Sequence, residues 1–161
     1  MKQTIRINEL PTRTWNRLGV NAAEIEWDAA AAFPAQMLAV GAGEHAAPLC
    51  LDVTDAGACT ERTAALHVAA GGDVTVFVTL TAANPLAFRL DVTLDAGAHA
   101  KVVLLEHPTG GTVVRTETHT TCEADAKIEY LTILLGDGDL YADQHAELVG
   151  DGSALKADIA Y

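Results

Sequence analysis

Short turns built from small residues recur at a nearly constant interval along this sequence, and this recurrence constrains the fold more than any other feature. The turn centres lie at residues 72, 98, 126 and 154, so the intervals are 26, 28 and 28 residues. Each turn opens a strand-like stretch; the turns span residues 70–74, 96–100, 124–128 and 152–156. A repeat of this length, with two or three short strands in each unit, is typical of a β-solenoid, whose stacked coils share one core.

Apolar residues occupy every second position between these turns, which is the pattern of strands with one buried face. Valine and leucine alternate with other residues in 74–80, and residues 88–94 repeat the pattern. Further strands are predicted at residues 101–106, 112–122, 127–135, 140–149 and 155–161. An antiparallel sandwich with recurring hairpins would show similar patterning, so periodicity alone leaves both architectures open.

The first 43 residues differ in character from the rest. Pro11 before residues 13–18 and Gly19 after them indicate a short helix, and the alanine-rich residues 27–37 are a second candidate helix that Pro34 limits. We therefore predict a helical and loop cap over residues 1–43 and a solenoid domain over residues 44–161. The last predicted strand still alternates where the sequence stops, which we interpret as a truncated longer protein or a coil that pairs with a partner.

Charge and hydropathy exclude several classes of partner. Ten Lys and Arg residues stand against 22 Asp and Glu, and the formal net charge of -12 is spread through the chain. Such a chain repels nucleic acid and anionic membranes. No apolar stretch approaches the roughly 20 residues that span a bilayer, and no secretion signal opens the sequence, so we expect a cytoplasmic protein.

The three cysteines are an odd number in a chain without a secretion signal, which favours reduced thiols over a disulfide framework. Cys50 and Cys59 match no zinc-binding spacing. We expect both to be buried structural residues, because a free cysteine behaves as a small hydrophobic side chain.

Two stretches of the chain resemble the SufB/SufD family of iron–sulfur cluster assembly proteins. Residues 10–21, LPTRTWNRLGVN, look like the opening of SufD-like members, and residues 145–154, HAELVGDGSA, are similar to the family's coil pattern. The resemblance covers the N-terminal half of such a protein. It implies an all-β fold, namely a right-handed parallel β-helix with a short N-terminal helical segment.

The resemblance also implies a function. It points to a non-catalytic scaffold subunit, not an enzyme, that acts with a SufC-type ATPase and with a SufB-like subunit or a second copy of itself. No cofactor is then expected in this chain, while the full assembly would hold a transient iron–sulfur cluster. The family's cluster-building and SufC-docking positions have no counterpart in these residues.

Cys122 is the candidate sulfur-handling residue, because Cys122 and Glu123 before a small corner resemble the site where SufB accepts persulfide sulfur. Local physics favours a structural role instead. His119 points to the opposite face of the predicted strand, and the nearby carboxylate disfavours a thiolate. Stacking the repeat gives one inward column: Val68, Leu94, Cys122 and Gly150.

Two surface features allow other chemistry. His119 and His145 are 26 residues apart and are expected to be neighbours on adjacent coils, which offers part of a metal site, although exposed ladder positions are the plainer interpretation. Parallel β-helices often carry polysaccharide-degrading sites, so a β-helical carbohydrate-active enzyme is the alternative function. The acids that could line such a site are Asp91, Glu117, Asp143 and Glu147.

Overall fold

In a computed structural model, two parallel β-sheets face each other across a shared interior. The structure describes residues 3–7, 23–28 and 31–161. The strands in these residues are β1 (Gln3–Ile7), β2 (Ala23–Trp27), β3 (Ala31–Ala32), β4 (Gln36–Val40), β5 (Leu49–Thr54), β6 (Thr60–Val68), β7 (Asp73–Ala82), β8 (Leu86–Leu94), β9 (His99–Pro108), β10 (Val113–Cys122), β11 (Lys127–Leu134), β12 (Asp139–Leu148) and β13 (Ala154–Ala160).

Successive strands from β4 onward alternate between the two sheets. The first sheet runs β12-β10-β8-β6, with β3 and β4 both paired to β6, and the second runs β13-β11-β9-β7-β5. Every pairing within these sheets is parallel. The chain therefore winds as a β-solenoid of about five coils. The predicted all-β solenoid is confirmed, and the parallel pairing excludes the antiparallel sandwich.

The predicted inward column is correct for three of its four members. Val68 pairs with Leu94, and Leu94 pairs with Cys122. The fourth position is wrong, because Cys122 pairs with Leu148 and not with Gly150. Gly150 lies in the turn after β12, where a side chain would collide with the backbone of Ala124, so the close stacking of two corners requires glycine there.

The interior is filled by the inward residues of both sheets. Burial alternates along β8 and β7 at every second position, as the period of two predicts. The central coils bury aliphatic side chains completely, among them Val76, Leu80, Leu90 and Leu94. Each such burial contributes about 1.5–3 kcal/mol, and the columns continue from coil to coil, so the coils share one core.

The N-terminal residues contain strands where helix was expected. Residues 13–18, the first predicted helix, lie outside the described residues. The second, over residues 27–37, is wrong, because Trp27 ends β2 while β3 and β4 pair with the edge of β6, with Pro34 between them. Strands β3 and β4 thus belong to the first sheet although they lie before residue 43. A capping role for residues 1–43 stays a prediction.

Strands β1 and β2 form a separate antiparallel pair that lies against the outer surface of the solenoid. Ile25 and Trp27 of β2 are buried there. The residues that contact this small cluster are Ile5, Cys59, Ala87, Val113 and Tyr141. In the part of the chain that the structure describes, no helix has the length and apolarity to cross a bilayer.

Candidate functional site

The solenoid interior becomes polar at β10. The inward positions of β8 hold apolar side chains, and four of the five β10 positions stacked on them hold three threonines and a cysteine, each at most 2% exposed. The stacked pairs are Phe88 and Thr116, Leu90 and Thr118, Val92 and Thr120, and Leu94 and Cys122. Threonine keeps the branched shape that suits a strand, so the backbone accepts these residues while the interior gains hydroxyl groups.

Two hydrogen bonds cross this polar interior from one sheet to the other. The Thr116 hydroxyl donates to Oε1 of Glu106 at 3.0 Å. The Thr120 hydroxyl and the Tyr130 hydroxyl are 2.7 Å apart. Because Glu106 lies on β9 and Tyr130 on β11, both bonds join the second sheet to β10. We call Glu106, Thr116, Thr118, Thr120, Cys122, Tyr130 and Thr132 the polar interior layer.

Two buried oxygens of the polar interior layer, Oε2 of Glu106 and the Thr132 hydroxyl, have no hydrogen bond within the described residues. The Thr118 hydroxyl makes no well-formed hydrogen bond there either, although it interacts with the Tyr130 phenol. A buried polar group left in this state costs about 1–3 kcal/mol. The layer therefore lowers stability relative to an aliphatic interior, and such a cost calls for a specific explanation.

Burial sets the protonation of the Glu106 carboxyl and the Tyr130 phenol in the layer. Desolvation raises the pKa of Glu106 to about 7, against the opposing effect of the Thr116 hydrogen bond. Desolvation likewise raises the pKa of Tyr130 to about 12, with the Thr120 and Thr118 hydroxyls acting in the opposite direction. The phenol is therefore neutral at pH 7, whereas Glu106 titrates close to neutrality.

Cys122 is the one cysteine of the polar interior layer and is fully buried. Desolvation raises the pKa of its thiol, and Leu94 and Leu148 are its neighbours along the column. His119 lies on the outward face of the same strand, so the two side chains form no dyad. The inward position predicted for Cys122 is confirmed, and its part in sulfur handling stays a prediction.

The other two cysteines differ from the expectation of burial. Cys50 is exposed, because β5 points Leu51 and Val53 inward and leaves Cys50 at an outward position. Cys59 is partly buried beside β2, and its thiol donates to the carbonyl oxygen of Asp28 at 3.4 Å. Desolvation raises the pKa of the Cys59 thiol.

The two histidines predicted to be neighbours do lie side by side. His119 pairs with His145 across β10 and β12, and their ring centroids are 5.8 Å apart. Each has a carboxylate near its Nε2 atom, Glu117 Oε2 at 3.9 Å for His119 and Glu147 Oε1 at 3.7 Å for His145. Within the described residues, no three His, Cys, Asp or Glu side chains already converge on one point.

The four candidate carboxylates occupy the outer surface of the first sheet, and two of them are held by arginines. Arg89 lies 2.8 Å from Asp91, and Arg115 forms an ion pair with Glu117. A groove of about 160 Å³ runs beside Arg89, Arg115 and Glu117. Small-molecule pockets usually enclose roughly 300–1,000 Å³, so this groove is smaller than a typical small-molecule pocket.

No protein-family model matches this sequence, and no curated protein and no solved structure matches it either.

Sequence reasoning missed most of the polar interior layer. Only Cys122 was singled out, while Glu106, Thr116, Thr120 and Tyr130 were not. The signal was present as threonine at every second position from Thr116 to Thr120, because the inward position predicted for Cys122 places these threonines on the same face of the strand.

Proposed function

We propose that this chain belongs to a non-catalytic scaffold subunit of a SufBCD-type iron–sulfur cluster assembly system. The proposal starts from the resemblance of residues 10–21 and 145–154, and the parallel solenoid is the observation that supports it most. A right-handed β-helix is the architecture that the resemblance implies, and the parallel pairing of β4 to β13 agrees with its coil arrangement. The partners are a SufC-type ATPase and a SufB-like subunit or a second copy of this chain.

The last coil supports a role in binding other strands. In the described residues β12 and β13 are the outermost strands of their sheets, and each pairs on one side only. Apolar side chains of this coil are exposed: Leu148, Val149, Leu155 and Ile159. An edge with unpaired backbone groups and apolar side chains accepts an added strand, whether from the same chain or from a partner.

Cys122 is the residue of this proposal that would handle sulfur. Its burial means that a sulfur atom would reach it only through the interior, past the hydroxyl groups of the polar interior layer. A Cys122→Ser variant tests this role. If labelling by a persulfide donor is unchanged in Cys122→Ser, the cysteine is structural.

Co-expression of the full chain with a SufC-type ATPase and a SufB-like subunit tests the scaffold role. We expect a complex that elutes together on size exclusion and is weakened by Ile159→Asp on β13. Phe77→Asp is the matched control, because Phe77 is 42% exposed against 56% for Ile159 and lies on the inner strand β7. Absence of any complex, or cleavage of a polysaccharide by the chain, would overturn the proposal.

A further inference from the structure

The outer surface of the first sheet places two imidazoles next to each other at its edge. His119 on β10 and His145 on β12 are directly paired in parallel register, and adjacent strands are about 4.8 Å apart. Both rings are about half exposed. Parallel pairing aims the two side chains the same way out of the sheet, so both Nε2 atoms are accessible to one ion.

The distance between the rings suits a shared metal ion. A metal–nitrogen bond of about 2.0–2.1 Å puts each ring centroid about 3 Å from the ion, so two bound rings have centroids about 5 Å apart at a tetrahedral angle and about 6 Å apart when opposed. The observed 5.8 Å lies within this range. Side-chain rotations that turn both Nε2 atoms towards a point between the rings would therefore place both rings on one ion.

Carboxylates lie near both histidines of the pair. Glu117 is held by Arg115, which leaves its Oε2 towards His119 at 3.9 Å. Glu147 is more exposed, lies two positions beyond His145 on β12, and reaches to 3.7 Å of its Nε2 atom. Asp143 adds a further negative charge, because it is paired with Glu117 in the ladder. The local excess of carboxylates over arginines favours a bound cation.

We propose that His119 and His145 bind one divalent transition-metal ion of the kind that prefers imidazole, such as Ni²⁺ or Zn²⁺, with Glu147 as the carboxylate ligand and water completing the coordination. Glu147 is favoured over Glu117 as the ligand because Glu117 already forms an ion pair with Arg115. The side chains need to rotate to converge, since within the described chain no three ligands already do so. This site is independent of the scaffold role proposed above.

Calorimetric titration of the untagged full chain with NiCl₂ tests the site. We expect one strongly bound ion per chain, and His119→Asn or His145→Asn should each weaken its binding by roughly tenfold or more, since loss of even an indirect contact to a metal costs about 10–100-fold. His67→Asn is the matched control. His67 is 51% exposed on the same outer surface, but its neighbour on β8 is Thr93 and its partner is Asp95 at 3.1 Å, so its loss should leave the affinity unchanged.

Histidine ring NMR signals give a second readout that does not depend on affinity. Substoichiometric Ni²⁺ should broaden the ring signals of His119 and His145 before that of His67. Thermal unfolding of each variant without metal should match that of the unmodified chain, since the rings are on the surface. The proposal is overturned if the unmodified chain binds no ion, if the double variant binds as tightly as the unmodified chain, or if either single variant leaves the affinity unchanged.

Discussion

Replacing Glu106 by Gln should remove a large part of the pH dependence of this protein's stability. The Glu106 side chain is fully buried, its Oε1 accepts one hydrogen bond from Thr116, and its Oε2 has no partner in the described residues. Desolvation raises the pKa of this carboxyl from the ordinary 4.5 to about 7. A glutamine at this position would keep the shape of the side chain and carry no charge at any pH.

The direction of the effect follows from proton binding. Between pH 4.5 and pH 7 the folded chain holds a proton on Glu106 that the unfolded chain has lost, so the free energy of unfolding falls as pH rises. The stability that this bound proton contributes is fully present below pH 4.5 and is lost by pH 8. At about 1.4 kcal/mol for each pH unit of difference, the loss totals about 3 kcal/mol, of which about 2 kcal/mol falls between pH 5.5 and pH 8.

Urea unfolding followed by circular dichroism at pH 5.5 and pH 8 measures this loss. The free-energy difference between Glu106→Gln and the unmodified chain should shift by about 2 kcal/mol in favour of the variant across that interval. Glu129→Gln is the control, because Glu129 is exposed on β11 and should give no such shift. If the curves for Glu106→Gln and the unmodified chain run parallel, burial does not raise the pKa of Glu106 as described.

Three further predictions concern the interior. Thr118→Val removes a buried hydroxyl that interacts with Tyr130 without a well-formed hydrogen bond and should be close to neutral, whereas Thr116→Val breaks the bond to the buried carboxyl and should cost about 1–3 kcal/mol in urea unfolding. Leu90→Ala should cost about 2–5 kcal/mol by leaving a cavity in the central coils, measured in the same way. Mass spectrometry should show a thiol reagent modifying Cys50 in the folded chain and Cys122 only after unfolding; equal rates would contradict the burial of Cys122.

The solenoid could be predicted because the nearly constant spacing of its turns along the sequence determines which residues stack in successive coils. Small residues at the corners and alternation between them located β7 to β13 to within a few residues. The variation in coil length is absorbed at the corners, for example between β7 and β8, where residues 83–85 suffice, and between β9 and β10, where residues 109–112 are needed. The neighbour relation of His119 and His145 followed from the same interval.

The remaining features depend on tertiary contacts that periodicity does not contain. The run of residues 27–37 has helical composition, yet Trp27 pairs with β1, and residues 31–32 and 36–37 pair as strands with the edge of β6. Cys50 is exposed because it lies between Leu49 and Leu51 in β5; both leucines point towards the interior, so alternation turns Cys50 outward. The polar interior layer was missed because threonines such as Thr118 have the same strand propensity whether they face water or the core.

β10 raises the question of what fixes the register of a strand that is polar on both faces. A shift by one residue would bury Arg115 and Glu117 and turn Cys122 outward, and polar strands on both sides specify register only weakly. Apolar contacts anchor both ends, with Val114 stacked on Leu86 and Cys122 stacked on Leu94. Between these anchors, the hydrogen bonds that Thr116 and Thr120 form across the interior exist in one register only. The polar residues that leave buried oxygens unpaired in this coil therefore also supply the hydrogen bonds that make its pairing unique.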